Sequence, residues 1–222
     1  MFAIIKKELK SYFYTPIGYA FLTLFLAVVS FTFYRYTFSS RFLNYEYIIW
    51  DSTVIIGFII PVLTMRMFAE ERKNGTDQLL FTSPKSITSI VLGKLISATI
   101  VVAVGLLLTF VYYGILRHFG EVSIREPLVA MLGFMLLAMS YISFGMFISA
   151  TTESQIIAAI IPIACYIIIS FFQGAKGFTA MFSLVEMYQK FPQGIISLKE
   201  VVRICKFYLS FYMSYYYSLT KT

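Results

Sequence analysis

Long apolar runs separated by short charged clusters extend along the chain. Residues 17–34 carry no charge. As a helix rising 1.5 Å per residue they cover roughly 27 Å, close to the thickness of a bilayer's hydrocarbon core. Further apolar runs occupy residues 52–65 (from 48 if Asp51 sits at headgroup depth), 90–116, 127–151 and 156–172. A final run, 207–219, is short, reaching about 20 Å as a helix, less than a full crossing. The pattern predicts an all-α fold, a polytopic membrane helical bundle of six transmembrane helices forming one domain over residues 1–222. Pro61 should kink the second span. Lys94, near the start of the third, has a stem long enough to carry its charge to the membrane surface.

Before the first span, Phe2, Ile5, Leu9, Tyr12 and Phe13 recur at helical spacing, with Lys6, Lys7 and Lys10 on other faces. That arrangement suits an amphipathic helix over residues 1–15, lying beside anionic headgroups, or a plain basic flank of the first span. Thr15-Pro16 then opens a new helix. No small-x-small cleavage pattern follows the first span, so the span is expected to stay in the protein.

Composition agrees with this layout. Of 222 residues, 59% are hydrophobic and 13% charged, and the mean hydropathy is +0.80. A soluble domain typically carries about 25% charged residues, so too few are present here to cover a water-exposed surface. The net charge of +7 sits between apolar runs and not on one solvated face, which fits membrane orientation and argues against nucleic acid as a partner. Lys and Arg divide evenly between the two sides of the predicted bundle. The tie comes from the long last connection, 173–206, read as an extracytoplasmic segment. The short early loops place the N-terminus and residues 66–86 in the cytoplasm. Cys165 and Cys205 lie in a span and a later loop, and no disulfide is expected.

Reactive constellations are missing from the sequence. There is no P-loop: Gly93-Lys94 lacks the earlier glycine and the following Ser or Thr. There is no H-E-x-x-H motif, and the one histidine, His118, falls in a polar turn and reads as solvated. The predicted spans contain no His, Asp or Glu, which argues against a membrane enzyme and against an ion-coupled carrier. No catalytic residue, bound cofactor or metal site is assigned.

The informative stretch is residues 65–94, MRMFAEERKNGTDQLLFTSPKSITSIVLGK. Good helix formers at residues 68–73 predict that the second span's helix continues out of the membrane until Asn74-Gly75 stops it. Thr76 and Asp77 can cap a short new helix, apolar through Leu79, Leu80 and Phe81, and Ser83-Pro84 leads into the third span. A short element held between two spans can transmit motion. It can equally be a solvated loop whose charges fix topology.

Phe68-Ala69-Glu70-Glu71-Arg72, Gly75-Thr76, Leu79-Leu80, Thr82-Ser83-Pro84 and Gly93-Lys94 resemble the first cytoplasmic loop of type-2 ATP-binding-cassette (ABC) transporter permeases. The likeness is greatest to the gliding-motility-type branch of small six-span subunits. Lys7-Glu8-Leu9 and the stretch Tyr14-Thr15-Pro16-Ile17-Gly18-Tyr19 are similar to that branch too. Gln78 departs from the family's usual Glu, and the short last run is a second departure. The resemblance implies that the chain is the permease subunit of a bacterial inner- or plasma-membrane ABC transporter, expected to export. It implies that Glu70, Glu71, Arg72, Gly75, Thr76, Leu79, Leu80, Ser83 and Pro84 form the coupling loop to a separate ABC ATPase subunit. Phe2, Ile5, Leu9, Tyr12 and Phe13 would belong to the interface helix, and a second permease subunit would complete the assembly. ATP would be used by the partner and not bound here. The competing reading is a membrane scaffold for a cytoplasmic or cell-surface machine.

Overall fold

The computed structural model describes residues 1–39, 44–75, 87–120, 123–171, 188, 190–195, 201–202, 206 and 213. Within them the fold is helical. Helix α1 (Phe2–Tyr14) is followed at once by α2 (Pro16–Tyr34), whose C-terminus widens into a π-helical turn over Arg35–Ser39. Helix α3 (Tyr45–Thr64) comes next, then the short α4 (Ala69–Lys73). Helices α5 (Ile87–Phe119), α6 (Arg125–Thr151) and α7 (Gln155–Phe171) complete the described elements.

Among the described residues, α2, α3, α5 and α6 are long and apolar enough to cross a membrane, and α7 is a shorter apolar helix. The fold is thus a helical membrane bundle. The apolar run at 207–219 lies outside the described residues, apart from the single residue Met213. The second span follows the longer of its two sequence readings and begins at Tyr45. Glu46 and Asp51 therefore belong to a span, which corrects the expectation of spans free of acids. Each has a local partner: Asn44 Nδ2 donates to Glu46 Oε1 at 2.7 Å, and Arg35 pairs with Asp51.

Helix α3 is central. It packs on α2, α6 and α7, and α5 closes the far side against α2 and α6. Apolar side chains fill the interior, with Phe21, Phe25 and Val29 of α2 meeting Phe134 and Leu106 in one cluster. Between apolar helices in lipid, close approach and hydroxyl hydrogen bonds supply what the hydrophobic effect cannot. Both occur here. Ser30 Oγ and Tyr112 Oη join α2 to α5 at 2.6 Å, and Tyr45 Oη and Thr109 Oγ1 join α3 to α5 at 2.7 Å. Gly145 of α6 lies so close to Thr64 of α3 that a methyl group would clash with it.

The two ends of the bundle differ. Helix α1, the end of α3, α4, and the start of α5 gather at one end. At the opposite end, Tyr188 stacks on Trp50 and Phe191, and its hydroxyl donates to the Ala130 carbonyl at 3.0 Å. Tyr188 and Phe191, described residues of the predicted 173–206 segment, thus lie at the end away from α1.

Candidate functional site

The candidate site lies at the α1 end and is built around one nitrogen. Gly93 of α5 has no side chain, and a Cβ there would stand 2.8 Å from Ile4 Cγ2. The missing methyl lets α1 lie against α5. One turn further along α1, Glu8 then faces the next residue of α5, Lys94. The Lys94 ammonium has three N–H donors, and three acceptors surround it. They are Glu8 Oε1 of α1 at 3.2 Å, Glu71 Oε1 of α4 at 2.9 Å, and the Met67 carbonyl after α3 at 2.6 Å. The ring of Phe68 lies under the same nitrogen, 4.8 Å from its centroid. Lys94 is 2% exposed. It does not reach out to the membrane surface as its long stem suggested, because two carboxylates and a carbonyl satisfy it in the interior.

A second pair backs the first. Arg66 Nη2 donates to Glu70 Oε1 at 2.6 Å, and its Nε makes a parallel bond to the other carboxylate oxygen. Such a two-pronged contact fixes the orientation of both groups. Lys7 adds a longer contact to Glu71 at 3.7 Å. Lys7, Arg66 and Lys94 thereby face Glu8, Glu70 and Glu71. They line a polar cavity of about 190 Å³ together with Ser11, Tyr12, Thr15, Met67 and Asn74. The Tyr12 hydroxyl is buried there without a hydrogen-bond partner among the described residues. Burial, aided by Glu8, raises its pKa well above the ordinary phenol value.

The local chain path has its own cause. The helix leaving α3 does not continue through residues 68–73 as propensity suggested. It breaks at residues 65–68 and restarts as α4. Ser149 of α6 explains the break: its Oγ accepts from the N–H groups of both Phe68 and Ala69 at 3.1 Å and donates to the Met65 carbonyl at 3.2 Å. Those two N–H groups would otherwise bond back into the preceding helix. A hydroxyl from another helix thus serves as the cap that Phe68 cannot supply. Helix α4 ends at Asn74-Gly75, where Gly75 has φ +67, a conformation glycine adopts without strain.

The residues singled out in the sequence fall into three groups. Glu70 and Glu71 sit in the charged cluster, while Arg72, half-buried beside them, has no ion pair among the described residues. Gly75 supplies the turn, and Thr76, Leu79, Leu80, Ser83 and Pro84 lie outside the described residues. The α1 set splits between two stripes. Phe2, Ile5, Leu9 and Phe13 line a shallow apolar hollow with Lys6 and Lys10, and Phe2 is 80% exposed. Tyr12 turns inward with Ile4 and Glu8. Glu8 and Lys94 were not chosen as site residues, and neither was Ser149.

The family model described as "ABC-2 family transporter protein" matches residues 51–219, most of the chain. The chain belongs to the ABC-2 transporter family. A comparison with curated proteins finds no match. An ABC-2 membrane domain is a permease and not an ATPase, and this ABC-2 chain is accordingly a multi-pass permease subunit resident in a bilayer. In this permease Arg66, Glu70 and Glu71 of the charged cluster lie in the segment joining two neighbouring spans, while Lys7 and Glu8 come from α1 and Lys94 from the second of those spans.

Proposed function

We propose that the chain is the permease subunit of an ABC exporter of the gliding-motility type, driven by a separate ATPase subunit. The ATPase docks from the cytoplasm on the loop 66–86, and the N-terminus lies on that same side. Residues 1–15 form the interface helix, 173–206 an extracytoplasmic segment, and 207–219 a short last span. Two permease subunits, alike or different, pair with two ATPase subunits. The permease binds no cofactor itself. Glu70, Glu71 and Arg72 anchor the base of the coupling loop, Gly75 and Thr76 make its turn, Leu79 and Leu80 meet the ATPase, and Ser83-Pro84 gives a stiff exit.

One observation supports this reading above the rest: the limb that leads into the loop is held firmly. Ser149 ties residues 65–69 to α6, Glu70 is locked by Arg66, and Glu71 is tied to α5 through Lys94. A loop that only solvates its charges has no use for carboxylates committed to a two-pronged arginine contact and to a buried lysine. A force-bearing loop needs a fixed root.

The test is co-purification of the chain with an ATPase encoded beside it, in wild-type form and with Leu79→Asp plus Leu80→Asp. The double variant should lose the ATPase from the complex and lose stimulation of hydrolysis, while membrane insertion stays unchanged. Retained association with retained stimulation would sink the docking assignment. ATP-dependent uptake into inverted vesicles would establish the direction.

A further inference from the structure

Lys94 is a buried cation with contacts on three other parts of the chain. Its own helix is α5, and its three acceptors come from α1, from α4 and from the turn after α3. Exposed ion pairs exchange partners with water and are screened by salt. At 2% exposure this nitrogen is largely withdrawn from bulk water, so displacing one acceptor drags the others. The carboxylates are confined as well: the side chain of Glu8 is 12% and that of Glu71 16% exposed. Gly93 lets α1 lie directly on α5 with Ile4 in the gap, so the joint has little slack.

We propose that Lys94, with Glu8 and Glu71, is the joint that carries displacement of α4 to the N-terminal helix α1. It is a positioning residue for transport and does not touch the substrate. The inference rests on the function proposed above, and it adds a route. Motion imposed at loop 66–86 reaches α1 chiefly through the Lys94 nitrogen, with the longer and more exposed Lys7–Glu71 contact beside it, and α1 moves the start of α2, which follows it after the single residue Thr15. At that corner a Cβ on Gly18 would collide with the Tyr12 carbonyl, so α1 and α2 are also closely seated.

The test uses the complex of the chain with its ATPase in nanodiscs, with a non-hydrolysable ATP analogue as the probe. Spin-label pairs placed through Lys10→Cys with Leu132→Cys, and Lys73→Cys with Leu132→Cys, report α1 and α4 against the far end of α6. Lys10, Lys73 and Leu132 are all exposed and outside the joint. In the wild-type background both distances should shift when the analogue binds. In Lys94→Met with Glu8→Gln and Glu71→Gln, which removes the charges together, the α4 shift should remain and the α1 shift should vanish. Glu8→Gln alone keeps Lys94 bonded to Glu71 and to Met67, and should reduce the α1 shift while preserving the fold. It reports on the joint even if the triple variant assembles poorly. A full α1 shift in these neutralised variants overturns the joint. A wild-type complex in which neither distance responds overturns the coupling function itself, and so separates the two failures.

Discussion

Among the described residues, two ion sites at opposite ends of the bundle are alike in chemistry and unlike in setting. At one end Lys94 is buried between carboxylates from two different helices. At the other, Arg35 in the π-helical turn after α2 pairs with Asp51 in α3, with side chains 52% and 29% exposed. The first joins elements far apart in sequence and gives a single nitrogen three acceptors. The second joins consecutive helices and is open to water. Charge near a membrane helix therefore has two physical meanings here, a fixed joint and a solvated pair, and only the first ties separate parts of the fold together.

The comparison breaks most visibly at Lys94. Lys94→Met leaves two acidic groups and a carbonyl facing each other without the cation, and losing one side of a buried pair costs about 3–5 kcal/mol. Thermal unfolding in nanodiscs should show a large fall in Tm. Adding Glu8→Gln and Glu71→Gln should restore most of it, because removing a buried ionic group as a whole is often close to neutral. No fall for the single variant would mean that Lys94 escapes to water, and the contrast with Arg35 would disappear.

Ser149 tests how the charged end keeps its shape. In Ser149→Ala the part-buried N–H of Phe68 and the buried N–H of Ala69 lose the acceptor that Ser149 supplies, a cost of about 1–3 kcal/mol. The effect is local, so it should appear in hydrogen exchange before it appears in Tm. The amides of Phe68 and Ala69 should exchange about 10- to 100-fold faster, at the 1.4 kcal/mol that corresponds to each factor of ten. Protection within α2 should be unchanged. Unaltered exchange at Phe68 and Ala69 would show that the break after α3 has another cause.

Much of the bundle was legible in the sequence because its signal is local. An uncharged run of sufficient length has few fates other than a span, and those for α2, α5, α6 and α7 lie within a few residues of the observed helices. The start of α3 was harder. Glu46 and Asp51 looked like loop charges, and only their contacts with Asn44 and Arg35 show how a helix beginning at Tyr45 accommodates them. The charged end was half legible. Glu70, Glu71 and Gly75 stood out from their position between two spans. The break at residues 65–68 could not, since helix propensity favoured continuation and the competing acceptor, Ser149, lies some eighty residues away. Lys94 was noticed for its reach but read the wrong way. Snorkelling is what a lysine does when its neighbours are lipid, and nothing along the chain places Glu8 and Glu71 beside it. Gly93 was the available clue: a glycine directly before a lysine at the head of a span leaves room for another backbone to approach.

The smallest effect belongs to the other ion site and completes the contrast. Arg35→Ala and Asp51→Ala should each cost about 0–1 kcal/mol, the range of exposed pairs. The coupling between them in a double-mutant cycle should shrink further as ionic strength rises, because the Debye length falls from about 10 Å at 0.1 M to 3 Å at 1 M. The same titration applied to the Lys94 cycle should leave its coupling nearly unchanged, since salt screens a buried pair much less. The two sites can thus be separated without comparing absolute stabilities, which differ with helix and membrane environment. What separates them is the slope of coupling against salt. A steep slope at Arg35 with a flat one at Lys94 marks one pair as solvated and the other as built into the fold. Equal slopes would mean that water reaches the Lys94 nitrogen and that α1 is held to α4 by nothing stronger than a surface contact.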